Sequence, residues 1–323
     1  MKTFIRVVEV WVPSRDRSLL EFGGGLYGDA PFFGALSEAR CFGMGEGLPG
    51  QAWEQGHPVV LKEFAGSYFQ RTAAAKAAGL TCGIAIPIFA GDFLTSVLVL
   101  FCGDDHEHAG AIELWHNNPA QSADMKLLDG YYGATAEVFE FTSRNTTFRR
   151  GNGLPGSVWE SGMPLFLEDL GKSKRFMRAD SATKVGINRG FAIPCSSHDE
   201  QVWVLAFLSA LDTPIARRFE VWKPDESRNL LRRESGFCET AGRLDGQVQP
   251  VERGQGAIGQ AFQSGIPQVA EMAGAEPGGV ATMHSAADAT PGAVPADAAE
   301  FESIMALPVL REGRLLAVVA WYF

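Results

Sequence analysis

One pattern occurs three times in this chain and limits its fold more than any other feature. Gly45–Pro58 reads GEGLPGQAWEQGHP, Gly151–Pro164 reads GNGLPGSVWESGMP, and Gly254–Pro267 reads GQGAIGQAFQSGIP. The copies begin 106 and then 103 residues apart. That period is a whole small domain rather than a solenoid unit. The leading glycines suit a tight turn in which a Cβ would clash. After them each copy predicts two turns of helix, closed by a glycine at the left-handed position and a proline that forbids resumption. A short apolar strand follows, Val59–Leu61 in the first copy and Leu165–Leu167 in the second. The G-x-G-x-x-G run is not read as a dinucleotide fingerprint. That motif needs a buried parallel strand before it and a long helix after it, whereas residues 39–42 and 147–150 make poor buried strands and Gly56 stops the helix early.

The 323 residues, 46% hydrophobic and 20% charged, suffice for several cores, and the repeats set the number at three. The expected modules are residues 1–106, 107–213 and 214–323. A net charge of −10 with no basic stripe argues against nucleic acid and anionic membrane surfaces as partners. The five scattered cysteines form no C-x-x-C pair and point to a reducing cytoplasm. Neither a signal peptide nor a bilayer-spanning run is expected.

The modules share further elements in fixed order. Each opens on a strand pair whose first strand carries E-x-W: Glu9 with Trp11, Glu113 with Trp115, Glu220 with Trp222. Each closes on a hairpin whose first strand contains Pro87, Pro194 or Pro308, positions that suit a residue without a ladder N–H. Between them, copies one and two keep F-x-R-x-x-x-A-x-x-x-G from Phe69 and Phe176, with Arg71 and Arg178 ahead of an alanine-containing helix. The third copy has instead an Ala/Gly/Pro-rich insertion, 270–299, expected to be a loop.

This ordered set resembles the GAF domain family, in particular GAF sensor modules of bacterial signalling proteins. The second copy matches best, the first closely, and the third is degenerate in its middle. The resemblance implies an α+β fold, each module a profilin-like, PAS-related antiparallel sheet of five or six strands with short helices and a small-molecule pocket over the sheet. The helices that usually flank such modules have no room here. The continuously apolar strands Leu94–Phe101 and Leu315–Phe323 therefore imply sheets packed on one another, within the chain or across a homodimer.

Phe69, Arg71, Phe176 and Arg178 are the candidate ligand-binding residues, since a planar guanidinium suits an anionic ligand. The competing reading has each arginine cap backbone carbonyls or pair with a local acid such as Glu63 or Asp169. Trp53, Trp159 and Phe262 are expected as core anchors, and Glu9, Glu113 and Glu220 as exposed residues opposite the tryptophans. Asp104–His108 with His116, and His198–Glu200, read as solvated turns rather than metal sites. No catalytic set is visible and no cofactor can be named. The expected function is a non-catalytic, cytoplasmic sensory or small-molecule-binding protein, acting through a signalling partner or its own oligomer. The alternatives are a scaffold with vestigial pockets and, less favoured, a thiol enzyme of sulfoxide-reductase type using Cys41 or Cys82.

Overall fold

A computed structural model describes residues 2–103, 110–196, 200–272 and 300–323. The segments Asp104–His108, His198–Asp199 and most of the 270–299 insertion lie outside the described residues.

The first sheet is built from β1 (Ile5–Pro13), β2 (Leu20–Leu26), β3 (Cys41–Phe42), β4 (Val59–Leu61), β5 (Cys82–Ala90) and β6 (Phe93–Cys102), in the order β3-β2-β1-β6-β5-β4. Helices α1 (Pro31–Glu38), α2 (Gly47–Gln55) and α3 (Thr72–Ala77) lie between these strands in sequence. The second sheet repeats the plan with β7 (Gly110–Asn117), β8 (Met125–Tyr131), β9 (Thr147–Phe148), β10 (Leu165–Leu167), β11 (Arg189–Cys195) and β12 (Val202–Ser209). Its helices are α4 (Phe141–Arg144), α5 (Gly153–Ser161) and α6 (Ala179–Lys184). The third contains β13 (Arg218–Pro224), β14 (Leu230–Cys238), β15 (Gly242–Arg243), β16 (Val251–Glu252), β17 (Gln268–Glu271), β18 (Ser303–Arg311) and β19 (Arg314–Tyr322), with α7 (Gly256–Ser264). All strand pairs are antiparallel.

The glycine element folds as its pattern predicts. Gly56, Gly162 and Gly265 follow α2, α5 and α7 with φ of 69°, 65° and 68°, where a Cβ is costly. Ala270 and Glu271 are strand rather than loop. The closing prolines sit where the short strand after each glycine helix no longer reaches. β4 pairs Gly83–Ala85 of β5, so Pro87 lies beyond the last ladder bond on that side, and Pro194 and Pro308 repeat this beyond Ala192 and Ala306. A missing N–H costs nothing there.

The strands separate two kinds of core by alternation. Along β6, Val97, Val99 and Phe101 enter the first module's own core, while Leu98, Leu100 and Cys102 face a second core shared with the other modules. β12 divides in the same way, with Val204, Ala206 and Leu208 on one side and Leu205 and Phe207 on the other. In β19, Val318, Ala320 and Tyr322 face inward and Ala317, Val319 and Trp321 face the shared core. Burial of both faces is why these strands are apolar at nearly every position. The sheets thus pack on one another within the chain. β4 lies against β8, and β17 against β2. Phe166 of β10 meets Phe219 of β13 at 3.9 Å and Phe237 of β14 at 5.0 Å between ring centroids. The strand after each glycine helix (β4, β10 and β17) therefore meets the leading strands of the next module, and the third closes on the first, forming a ring around one apolar centre.

Candidate functional site

Inside each module one carboxylate stands at the middle of the sheet. Glu9, Glu113 and Glu220 are each 0% exposed, and each accepts a hydrogen bond from the indole N–H of the tryptophan two residues on, at 3.0–3.1 Å. The glutamates are therefore buried on the same face as the tryptophans, not exposed opposite them. Strand alternation puts i and i+2 on one side, and a buried carboxylate persists only where partners replace its water.

In the first two modules the principal partner is the arginine of F-x-R. Arg71 donates from Nη1 to Glu9 Oε1 at 2.5 Å and from Nη2 to Oε2 at 3.0 Å. Arg178 makes the same fork with Glu113, at 2.5 and 2.8 Å. Ser37 and Ser143, at the helical segments after β2 and β8, accept from the same Nη1 atoms. Tyr27 and Tyr132 close each network on the carboxylate, at 3.4 and 3.1 Å. Aromatic rings wall the cations. Arg71 Cζ lies 4.3 Å from the Phe33 centroid and 5.4 Å from those of Phe69 and Phe101. Arg178 sits 5.0–5.7 Å from Trp115, Phe139, Phe148 and Phe176. Burial alone would raise the pKa of Glu113, but the Arg178 charge and the bonds it receives hold it below its ordinary value. Burial first, and the neighbouring carboxylate second, push the Tyr27 and Tyr132 hydroxyls well above the usual tyrosine range.

The four sequence candidates thus come together in pairs, Phe69 with Arg71 and Phe176 with Arg178, but in buried networks. Each planar fork is occupied by a carboxylate of the chain itself, and that carboxylate is Glu9 or Glu113 instead of Glu63 or Asp169.

The third module builds its shell from other residues. Arg218 Nη2 donates to Glu220 Oε1 at 2.7 Å, Arg233 Nη1 donates to the same oxygen at 2.9 Å, and Tyr322 donates to Oε2 at 2.9 Å. Sequence reading missed Arg218, Arg233 and Tyr322. The available signal was Arg218-x-Glu220-x-Trp222, a basic residue sharing the strand face with the other two.

Phe262 is buried, while Trp53 and Trp159 are half-buried against their module cores. His116 and His57 both stack on Trp203, with centroids 4.1 and 4.2 Å away. Cys82 is fully buried, Cys41 is exposed, and burial pushes the Cys195 thiol up to about 12. Among the described residues no group of His, Cys, Asp and Glu could hold a metal, and no helix is long and apolar enough to cross a membrane.

Open volume lies at the seams between modules. A cleft of about 590 Å³ is lined by Lys2, Arg6, Lys62, Lys76, Tyr131 and Thr213, among others, where the first two modules meet. A second, about 530 Å³, lies between the second and third modules against Phe166, Glu168, Phe219, Arg233 and Arg243. None of the four candidate residues lines either cleft.

The three sheets are tandem GAF-like α+β modules. The chain is similar to a GAF domain of A. aeolicus in an inactive state, with 20% identity over 32% of this chain and 60% of that one and a TM-score of 0.26. It is also similar to the free methionine-R-sulfoxide reductase of Neisseria meningitidis (18% identity, 32% and 57% coverage, TM-score 0.25). A further likeness is to the GAF domain of a phosphoenolpyruvate-protein phosphotransferase from Coxiella burnetii (14%, 32% and 59%, TM-score 0.27). The matches span about 60% of these structures' own length. No family model and no curated protein matches the chain.

Proposed function

We propose that this chain is a non-catalytic sensory protein that binds a small molecule at a seam between its modules and passes the event on through their packing, to a partner or a second copy. The observation that carries this reading is where open volume lies. The in-module arginines are sealed by their own glutamates, while the 590 Å³ cleft is open and of a size usual for metabolite sites. A ligand there touches Lys62 and Lys76 of the first module, Tyr131 of the second, and Thr213, which leads into the third. Binding would therefore change the stability of the seam itself. Five free cysteines suit a reducing, cytoplasmic compartment. Phe69, Arg71, Phe176 and Arg178 serve on this reading as the frame that holds each sheet to its helical cover.

Native mass spectrometry of the purified chain, followed by hydrogen exchange with and without any copurified molecule, tests the idea. Protection gained at residues 62–65, 76–81 and around Thr213 is the expected result. Protection confined to one module's interior overturns the seam site. The scaffold reading draws on the filled module interiors, and predicts an intact ring with no bound molecule.

A further inference from the structure

Resting on the seam-site reading, we infer that the 590 Å³ cleft takes a multiply charged oxyanion, a phosphorylated or polycarboxylated metabolite. The chain carries −10 overall, yet among the described residues four cationic side chains, Lys2, Arg6, Lys62 and Lys76, line this cleft, against Glu63 as the acid. A concentration of one sign in a concave site focuses the field on a ligand of the other.

Their existing partners account for little of that charge. Lys62 pairs with Asp129 at 2.5 Å in an exposed bridge, which contributes little and is readily exchanged. Arg6 has one hydrogen bond among the described residues, a long 3.4 Å contact from Nη1 to the Gly79 carbonyl. Lys2 and Lys76 have no carboxylate partner among the described residues. Lys76 closes α3, where a cation suits the helix dipole, but a helix of six residues gives that explanation small weight.

A second observation points to a ligand independently of charge. Thr213 lines the cleft, is 2% exposed, and its Oγ1 has no hydrogen-bond partner among the described residues. A buried hydroxyl left unpaired costs stability, and an anion seated among the cations would satisfy it.

The seam between the second and third modules does not share this chemistry. The position of Lys62 is Glu168 in the second module, that of Lys76 is Thr183, and that of Arg6 is Gly110. Between the second and third modules the charges are balanced and paired, Arg243 with Glu168 and Arg189 with Glu239. In the third module Arg217 stands at the position of Arg6 and lines the cleft toward the first module with Lys2 and Arg6, but there Asp29 and Glu302 offset them, so the excess of cations is greatest at the seam between the first and second modules.

The test uses the full chain at low ionic strength, with pyrophosphate and citrate as probes in titration calorimetry. At least one should bind saturably. Arg6→Gln and Lys76→Gln should each weaken it by about tenfold, and Thr213→Val, which fills the same space without the unpaired hydroxyl, by about fivefold. Lys174→Gln, on an exposed loop of the second module, should leave the affinity unchanged. Binding of pyrophosphate alone assigns a phosphorylated ligand, and binding of citrate alone a carboxylated one. Binding that ignores all three cleft variants places the anion elsewhere and overturns the inference. If neither probe binds while a copurified molecule protects the seam, the oxyanion assignment fails and the seam site stands. If no molecule protects the seam either, both fail.

Discussion

Arg218 holds Glu220 from two residues away on the same strand, Nη2 to Oε1 at 2.7 Å, in the register position that Val7 and Ala111 occupy in the other modules. The cation that comes from the segment before α3 or α6 in the first two modules here comes from the sheet. Tyr322 likewise holds the register position of Phe101 and Leu208 and supplies the hydroxyl that Tyr27 and Tyr132 supply elsewhere. The buried glutamate and its tryptophan are thus retained while the cation and the hydroxyl are supplied from elsewhere, which marks the charge network, rather than the F-x-R segment, as the fixed requirement of the module.

That relationship predicts unequal costs for removing an arginine. Arg178→Met strips Glu113 of both guanidinium bonds and leaves a buried carboxylate short of partners, which should cost about 3–5 kcal/mol. Arg218→Met leaves Arg233 at 2.9 Å from the same carboxylate, so roughly 1–2 kcal/mol is expected. Urea unfolding of the two variants measures the difference, and equal losses would show that Arg233 does not share the charge.

Stability should fall at both ends of the pH scale for different reasons. Glu113 titrates below its ordinary value in the folded chain. Its contribution is therefore full above the unfolded carboxylate pKa of about 4.3 and is lost as pH drops below it. Tyr27 and Tyr132 titrate above theirs. Their contribution is full below about pH 10 and is lost as the unfolded chain, but not the folded one, ionises at higher pH. Tyrosinate absorbance from these two residues should rise together with unfolding, and Tyr132→Phe should reduce the alkaline slope. A rise that precedes loss of structure would show that the hydroxyls reach solvent.

Some of this was legible in the sequence. The glycine element, the order of strands and the packing of sheets on one another all rest on local chemistry or on alternation, which one chain displays. The networks were not, because Glu9 and Arg71 are brought together by the sheet and the segment before α3, and nothing local marks a glutamate between valines as buried. A charged residue in a strand suggests a solvent face; only the partner from another element reverses the sign of that inference. The placement of open volume at seams, away from the module interiors, could not be read either, since it depends on how large aromatics such as Phe33 and Phe139 fill each module.

The third glycine of each repeated element should be the least tolerant. A Cβ on Gly50, Gly156 or Gly259 would lie 2.1–2.2 Å from the carbonyl oxygen of Gly43, Arg149 or Glu252. Backbone cannot yield as a side-chain tip does, so Gly156→Ala should cost upwards of about 3 kcal/mol. Gly66→Ala, at φ 70° with open space around it, should cost about 1 kcal/mol from backbone strain alone. Thermal melts of both variants check the ranking, and a Gly156→Ala protein as stable as Gly66→Ala would remove the steric argument.

The shared core makes the modules depend on one another. Trp321 of the third module is buried with ring centroids 5.4 Å from Phe191 and from Phe207 of the second, and Leu98 and Leu100 of the first belong to the same cluster. Alone, the first module would expose Val8, Val10, Ile84, Ile86, Leu98 and Leu100 on one sheet face. Burying a residue of that kind is worth about 1.5–3 kcal/mol, so a single module loses an amount comparable with the whole of the roughly 5–15 kcal/mol by which domains are stable. Residues 1–103 and 107–212, expressed separately, should be insoluble or associate, and Trp321→Ala in the full chain should lower one cooperative transition by about 3–5 kcal/mol instead of unfolding the third module alone. Two resolved transitions in that variant, or soluble monomeric fragments as stable as the intact chain, would mean that the ring is a loose assembly of independent modules.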